Sequence, residues 1–262
     1  MTELQFGEKA AKQLVAIYVT PDVVSQRAEF LRALNPKPSE KVLDVGSGPG
    51  FMAGAIAEAV GSRGAVRGVD ISEPLLAVAR AHCASQPWVE FQRADATRLP
   101  FPDKEFDAVI STQVLEYVRE VDVALAEIHR VLRPGGRVVI VDTDWDSLVW
   151  HSPKPEAMSR VLNAWEQHAA DCHLPRTMSN RLRQAGFQVE NETVIPLFNP
   201  VYDPNTYSNR IIDAIVSFVS GKNDIAPAEA ETWARELRQA GERGEYFFSL
   251  NRYMFLAKKR SV

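Results

Sequence analysis

A glycine-rich stretch in the first quarter of the chain has the spacing of a ligand-binding turn. Residues Val42 to Gly50 read VLDVGSGPG, an apolar run followed by glycines at alternate positions. Glycines let the backbone approach a ligand closely, and the N–H groups of such a turn can donate hydrogen bonds. A dinucleotide-binding turn has the spacing G-x-G-x-x-G/A, whereas Gly46, Gly48 and Gly50 give G-x-G-x-G. This spacing favours a ligand without a pyrophosphate group.

Two acidic residues follow the next two apolar runs. Asp70 ends the segment AVRGVD, and Asp95 comes shortly after the segment VEFQR. An acid at the end of the second strand can accept two hydrogen bonds from a ribose diol. Asp95 is placed to accept a hydrogen bond from an exocyclic adenine amine. Because ligands of open α/β sheets bind at the carboxyl ends of the strands, we expect both acids to lie on one edge with the glycine turn.

The elements that must position these residues alternate between strands and helices. Apolar strands with helices between them predict a parallel sheet that is covered on both faces. The expected fold is therefore α/β, a Rossmann-like, seven-stranded, mostly parallel sheet with helices on both faces and a helical cap. The predicted strands are 41–45, 65–69, 89–93, 106–111, 137–142, 187–198 and 246–258.

A helical insertion is predicted between the last two strands. Its apolar residues recur at helical spacing, as in Ile211, Ile215 and Val219, and long connections of this kind are usually functional. The same apolar faces could instead form a dimer interface, so both alternatives stay open. The expected division is a core of residues 1–144, 176–198 and 244–262, with residues 145–175 and 199–243 as a cap over the substrate site.

The motifs together resemble the class I methyltransferases that depend on S-adenosylmethionine (SAM). The similarity runs from about Thr20 to Asp142 and favours the small-molecule branch that includes the ubiquinone and menaquinone C-methyltransferases. It rests on the glycine turn, on Asp70 and Asp95, and on three further segments. These are FDAVIS at 106–111, TQVLEYV at 112–118 and RVLRPGG at 130–136. Tyr117 stands where that branch often has a histidine.

The resemblance implies that SAM is the cofactor and that a methyl group is transferred by in-line displacement to a small molecule. The acceptor atom could be oxygen, nitrogen or carbon, in an aromatic, quinone or polyketide-like compound. A SAM-binding sensor or partner subunit without turnover is the alternative. The candidate general bases are His151, His168 and His173. The expected cofactor-binding residues are Thr20, Asp44, Gly46, Ser47, Gly48, Gly50, Asp70, Ile71, Asp95, Ala96, Ser111, Thr112 and Gln113.

Other nucleotide-dependent and metal-dependent classes lack their motifs. No tyrosine is followed four positions later by lysine, as short-chain dehydrogenases require, and Gly50 precedes Phe51 rather than the lysine of a P-loop. Catechol-type methyltransferases hold a metal with an acid where Ser111 or Thr112 stands. Asp142, Asp144 and Asp146 do not form a calcium loop, because the glycine and glutamate of that motif are missing. We therefore expect no metal.

Composition and charge limit the kinds of binding partner to expect. The 262 residues carry a net charge of −4, which argues against a nucleic-acid partner. No apolar segment approaches the ~20 residues of a membrane span. The first residues are too charged for a secretion signal. We expect a cytoplasmic monomer or homodimer with a small-molecule substrate and neither a membrane nor a nucleic acid as partner.

Overall fold

The computed structural model describes residues 8–260, with side chains from residue 11 onward. Its centre is a sheet of seven strands. In chain order they are Lys41–Val45 (β1), Ala65–Asp70 (β2), Val89–Arg93 (β3), Phe106–Thr112 (β4), Leu132–Trp150 (β5), Phe187–Asn199 (β6) and Phe248–Lys259 (β7). Across the sheet the order is β3-β2-β1-β4-β5-β7-β6. Strands β1 to β5 are parallel, and β7 runs antiparallel between β5 and β6. The predicted α/β fold class is confirmed.

Nine α-helices connect and cover these strands in the part of the chain that the structure describes. They are Glu8–Tyr18 (α1), Pro21–Leu34 (α2), Phe51–Val60 (α3), Glu73–His82 (α4), Val121–Val131 (α5), Pro155–Trp165 (α6), Pro175–Gln184 (α7), Tyr207–Val219 (α8) and Pro227–Glu242 (α9). As the sequence predicts, α2 begins with proline in its first turn after Thr20. None of these helices is long and apolar enough to cross a membrane.

The sheet has an apolar layer on each face. Helices α2 and α3 bury Phe30, Leu34 and Ile56 against one face. Helices α5 and α7 bury Ile128 and Leu182 against the other. Because β1 and β4 lie at the centre, covered on both faces, their carboxyl ends form the point where the elements that carry the motifs converge.

Strand β5 is much longer than expected. The sequence predicts Arg137–Asp142, but the strand extends to Trp150. Beyond Asp142 the chain keeps pairing with β7, first at Thr143 with Arg252 and later at Trp150 with Phe248, with an irregularity between Asp144 and Val149. The sheet therefore continues past its parallel part into the region of the cap helices.

A third apolar cluster lies beyond the edge of the parallel strands. It is formed by α6, α8 and α9, with side chains such as Trp165, Ile215 and Trp233, and by the ends of the long strands, with Trp150 and Phe248. Helices α8 and α9 lie between β6 and β7 in the chain, as the sequence predicts for the insertion. Helix α8 also contacts α1 and α6. The insertion therefore packs onto a helix that precedes the sheet in the chain and onto the helix that follows β5.

Candidate cofactor and acceptor site

The glycine turn lies between β1 and α3 and is fixed to the neighbouring strand. The N–H groups of Gly46 and Ser47 donate to the Val69 carbonyl at 2.7 and 2.9 Å. Gly46 has a φ of +72°, and a Cβ there would lie 2.1 Å from a methyl group of Val114, so no other residue fits. The turn is therefore held against both β2 and the segment after β4.

Free space lies beside the same turn at Gly48, although the residue is buried. Gly48 has a φ of +50°, and the nearest heavy atom to a Cβ built there is Tyr18 Cε2 at 4.0 Å. This space would let a ligand group come close to the backbone, as the sequence predicts for a glycine that permits close approach.

Asp70 at the end of β2 organises the turn from the other side. One carboxylate oxygen accepts the Gly48 N–H at 2.9 Å, and the other accepts the Ser72 N–H at 2.8 Å. Burial raises the pKa of Asp70, and the hydrogen bonds from Ser72 and Gly48 oppose that rise. A carboxylate has about four acceptor positions, so Asp70 can accept two more hydrogen bonds from a diol. Next to it, Ile71 has 55% of its surface exposed at the same edge.

Three buried oxygen atoms around the turn have no hydrogen-bond partner. They are Asp44 Oδ2, Ser47 Oγ and Ser111 Oγ. Ser111 of β4 pairs with Val45 of β1, so these groups belong to adjacent strand ends. Burial, together with the nearby Asp70, raises the pKa of Asp44 to about 7. An unsatisfied buried polar group costs about 1–3 kcal/mol, so this arrangement indicates a polar ligand at the site.

Gln113 follows β4 in a strained backbone conformation. Its φ is +58°, in the left-handed region that non-glycine residues rarely adopt. Its N–H donates to the Val141 carbonyl at 2.7 Å, and its side-chain oxygen accepts the Thr143 hydroxyl at 2.5 Å. The end of β4 is thereby joined to β5, with Thr112 directly before the strained residue. Strain of this kind is common at binding sites.

The remaining predicted cofactor residues lie around this centre. Asp95 is exposed after β3 and accepts hydrogen bonds from the N–H and hydroxyl of Thr97 at 2.8 and 2.7 Å. Ala96 beside it is buried. Thr20 is 1% exposed, and its hydroxyl donates to the Ile17 carbonyl at 2.8 Å.

A pair of buried acids at this edge was not predicted as part of the site. Glu116 and Asp142 are both almost fully buried. Asp142 Oδ1 accepts the Val114 N–H at 3.1 Å, and Glu116 Oε2 accepts the Thr143 N–H at 3.0 Å. Burial raises the pKa of Glu116 to about 7. Burial and the charge of Glu116 raise the pKa of Asp142 well above its usual value. The pair therefore takes up a proton at a higher pH than an ordinary carboxyl group does. Asp142 ends the predicted strand 137–142, much as Asp70 follows the predicted strand 65–69, and that position was the available signal.

The three candidate bases lie in different surroundings. His151 is exposed at the end of β5. His168 is buried and stacks on Trp165 with 3.9 Å between the ring centroids. Its ring also contacts Tyr117, with 5.8 Å between the ring centroids. Burial lowers the pKa of His168 to about 4, so this ring is neutral at physiological pH.

His173 belongs to a group that could hold a metal ion, together with Asp144 and Asp146. Arg176, however, donates to both carboxylates, at 2.7 and 2.9 Å to Asp144 and at 2.6 Å to Asp146. A guanidinium thus already forms ion pairs with both acids. The expectation of a site without metal stays a prediction.

The glycine turn and β4 coincide with a match to a known family. Residues 43–140 match the family model described as a methyltransferase domain. This match confirms the class that the motifs predict, and it supports SAM as the cofactor. The three unpartnered oxygens and the free space beside Gly48 fit SAM as a ligand.

Curated relatives match part of this chain. A demethylmenaquinone methyltransferase of Staphylococcus epidermidis is 39% identical over 47% of this chain and 51% of its own length. A 2-phytyl-1,4-naphthoquinone methyltransferase of Synechococcus elongatus is 44% identical over 40% of this chain and 47% of its own. A 37.1 kDa protein from a transposon of Streptomyces fradiae is 37% identical over 66% of this chain and 50% of its own. The chain spans about half the length of these relatives.

Solved structures share the fold over most of the chain. A methyltransferase-like protein of Bacillus halodurans has a TM-score of 0.64 at 21% identity, with 90% of this chain and 99% of that chain covered. Phosphoethanolamine N-methyltransferase 2 of Haemonchus contortus, solved with SAM, has a TM-score of 0.64 at 22% identity, covering 98% and 58%. The [4+2]-cyclase SpnF has a TM-score of 0.59 at 22% identity, covering 92% and 82%. At these identities the likeness shows the fold alone.

Proposed function

We propose that this chain transfers the methyl group of SAM to a small-molecule acceptor. One observation carries the proposal: three buried oxygens without partners lie around a glycine turn that has free space beside Gly48, within the residues that match a methyltransferase domain. A polar ligand at that turn satisfies these atoms, and unsatisfied buried groups are otherwise rare in native proteins.

In this proposal, each part of SAM contacts its own group of residues around the turn. Asp70 would accept hydrogen bonds from the ribose hydroxyls, and the exposed Ile71 would lie against the adenine ring, beside Asp95 and Ala96. The polar ends of β1 and β4 would hold the methionine part. That group consists of Asp44, Gly46, Ser47, Gly48, Gly50, Ser111, Thr112 and Gln113, with Thr20 at the start of α2.

The chemistry needs alignment more than activation by the protein. SAM supplies an electrophilic methyl group on a sulfonium, which an acceptor displaces in line. The protein must hold the acceptor opposite that group and exclude water. The buried acids Glu116 and Asp142 lie at this edge and can hold or receive a proton. A histidine is therefore not required as the base. His168 is close to these acids, because its ring contacts Tyr117, the residue after Glu116.

The cap is the part of the chain that we assign to acceptor binding. Residues 145–175 and 199–243 contribute Trp165, Tyr207 and Trp233 to the apolar cluster beyond the sheet edge. Tyr207 also lies over Arg252 of β7, with 5.2 Å between its ring centroid and the guanidinium carbon. This contact brings α8 to the sheet. A structure with S-adenosylhomocysteine (SAH) tests the assignment. Residues 199–243 lying more than about 10 Å from the SAH sulfur along their whole length would favour the dimer-interface alternative.

An aromatic or quinone-like acceptor is the class we favour. The named relatives act on naphthoquinones, and the cap contributes several aromatic rings. Flat apolar acceptors gain both buried area and ring contacts in such surroundings. We further expect this reaction to proceed without a nucleic-acid or membrane partner, in a monomer or homodimer.

The test is transfer of labelled methyl groups. The purified chain is incubated with methyl-tritiated SAM and a panel of hydroquinones, phenols and aromatic acids, and both SAH and labelled product are measured. We expect both to form together with at least one acceptor and to fall in Asp70→Asn. Because a protein of this fold is described as a cyclase, SAM binding alone is not sufficient. Tight SAM binding without transfer to any acceptor class would favour the alternative of a SAM-binding sensor.

A further inference from the structure

Arg252 of β7 is a buried cation without a carboxylate partner. Only 3% of its surface is exposed, and it is the one lysine or arginine that is buried among the described side chains. It forms no salt bridge within the described residues, although exposed arginines such as Arg176 and Arg238 do. Taking a charge out of water is costly unless the charge is paired. Among the described residues, no carboxylate therefore forms an ion pair with the Arg252 guanidinium.

The hydrogen bonds of Arg252 involve the side chains of Gln26 and Tyr207 and leave its buried Nε without a partner. Nη1 donates to Gln26 Oε1 at 2.7 Å. The Gln26 amide is fixed with its oxygen towards Arg252, because its nitrogen donates to the carbonyls of Ile195 and Pro196 at 3.2 Å each. Nε of Arg252 has no hydrogen-bond partner. A carboxylate binds best to two adjacent N–H groups of a guanidinium, and the unpaired Nε lies on such an edge.

The charged neighbours of this edge are few and are held by other contacts. Arg27 is close enough for Arg252 to lower its pKa, so a second cation adds to the positive field. Glu116 is near enough for Arg252 to oppose the rise in its pKa, but it bonds to the Thr143 N–H instead. Tyr207 and Tyr18 also face the guanidinium, and burial raises the pKa of both phenols, so both remain neutral.

Arg252 lies between the strand ends of the methyltransferase domain and the cap. It pairs with Thr143 of β5, whose hydroxyl donates to Gln113 after β4. On its other side the ring of Tyr207 in α8 covers it. None of its described contacts is to the glycine turn. This placement is that of an acceptor contact, since the acceptor must approach between the cofactor and the cap.

We propose that Arg252 is a subsite for a carboxylate, or a similar planar anionic oxygen group, on the methyl acceptor. This inference rests on the proposed function and narrows it to acidic acceptors. The methionine carboxylate of SAM has the same chemistry and is the other source of such an anion, so the test must separate the two.

The experiment compares two matched probes and two matched nucleosides. The acceptor probes are 2-naphthoate and the neutral 2-naphthamide, titrated by calorimetry with and without SAH. The nucleosides are SAH and 5′-methylthioadenosine, which lacks the amino-acid part. The variants are Arg252→Gln and, as a control at an exposed arginine of α7 outside the cap, Arg183→Gln.

We expect the wild type and Arg183→Gln to bind naphthoate about tenfold or more tightly than naphthamide, the range of a charge-assisted pair. In Arg252→Gln that preference disappears, while the affinities for SAH and 5′-methylthioadenosine stay unchanged. The midpoint of thermal unfolding of ligand-free Arg252→Gln should equal or exceed that of the wild type, because an uncompensated buried charge is removed.

Four outcomes would overturn the proposal. The first is equal binding of the two probes by the wild type, and the second is no binding of naphthoate. The third is a loss of SAH affinity in Arg252→Gln with 5′-methylthioadenosine unaffected, which assigns Arg252 to the cofactor. The fourth is a large fall in the unfolding midpoint, which makes Arg252 structural. Failure of the wild type to bind SAH, with the naphthoate preference intact, instead contradicts the proposed function.

Discussion

Replacing Gly48 with alanine separates ligand binding from folding. The new methyl group would meet only Tyr18 Cε2, at 4.0 Å, so the ligand-free protein has room for it. The remaining cost is backbone strain, since φ is +50° at this position. For an L-residue in the left-handed region this strain is about 1–2 kcal/mol, which a domain of ordinary stability tolerates.

The effect on binding should be larger than a purely structural role would allow. If SAM lies over the turn, the added methyl group occupies its contact surface. Inserting a methyl group into a packed contact costs about 1–3 kcal/mol, which corresponds to a loss of affinity of about 5- to 150-fold. SAH affinity by calorimetry and unfolding by denaturant, both measured on the same variant, give the two numbers.

Gly244→Ala is the matched control. Gly244 has a φ of +75°, and a Cβ at this position would have nothing within 4 Å, so the variant carries similar backbone strain away from the turn. It should lose stability as Gly48→Ala does and keep the affinity of the wild type for SAH. A folded Gly48→Ala variant that binds SAH as tightly as Gly244→Ala refutes the placement of the cofactor over the turn.

Three further predictions address other parts of the site. Asp70→Ala should weaken SAM binding by about 2–4 kcal/mol and also reduce stability, because Asp70 accepts the Gly48 and Ser72 N–H groups. Asp70→Asn keeps one acceptor oxygen and should lose less stability. Equal unfolding midpoints for the two variants would contradict this. The raised pKa of Glu116, about 7, means that the folded state binds its proton more tightly than the unfolded state, so the free energy of unfolding should fall as the pH rises from about 4.5 to above 7. Denaturant unfolding across that range should show the fall in the wild type and a weaker dependence in Glu116→Gln, and an equal dependence would show that Glu116 is not the titrating group. Methyl transfer should persist in EDTA, because Arg176 already occupies Asp144 and Asp146 as their ion-pair partner. Loss of activity with rescue by magnesium would show that a metal takes part.

The sequence predicts the parts of this site that depend on local order along the chain. The glycine turn and Asp70 lie at strand ends, and the parallel topology alone brings strand ends together. The insertion between β6 and β7 is also predictable, because its apolar residues recur at helical spacing along the chain.

Features that depend on contacts between distant segments were not predictable. Arg252 is buried because β7 lies between β5 and β6 and because Gln26 of α2 meets it there. The extension of β5 to Trp150 arises from pairing with β7, not from its own residues. The second role of Asp70, as acceptor for the turn, likewise requires the position of Gly48 in three dimensions.

The most direct measurement of the central claim is a calorimetric titration of the purified chain with SAM, SAH and NADH. We predict saturable one-to-one binding of SAM and SAH and no detectable binding of NADH, because the G-x-G-x-G spacing differs from the G-x-G-x-x-G/A spacing of dinucleotide-binding turns. Binding of NADH more tightly than SAM would contradict the account at its base.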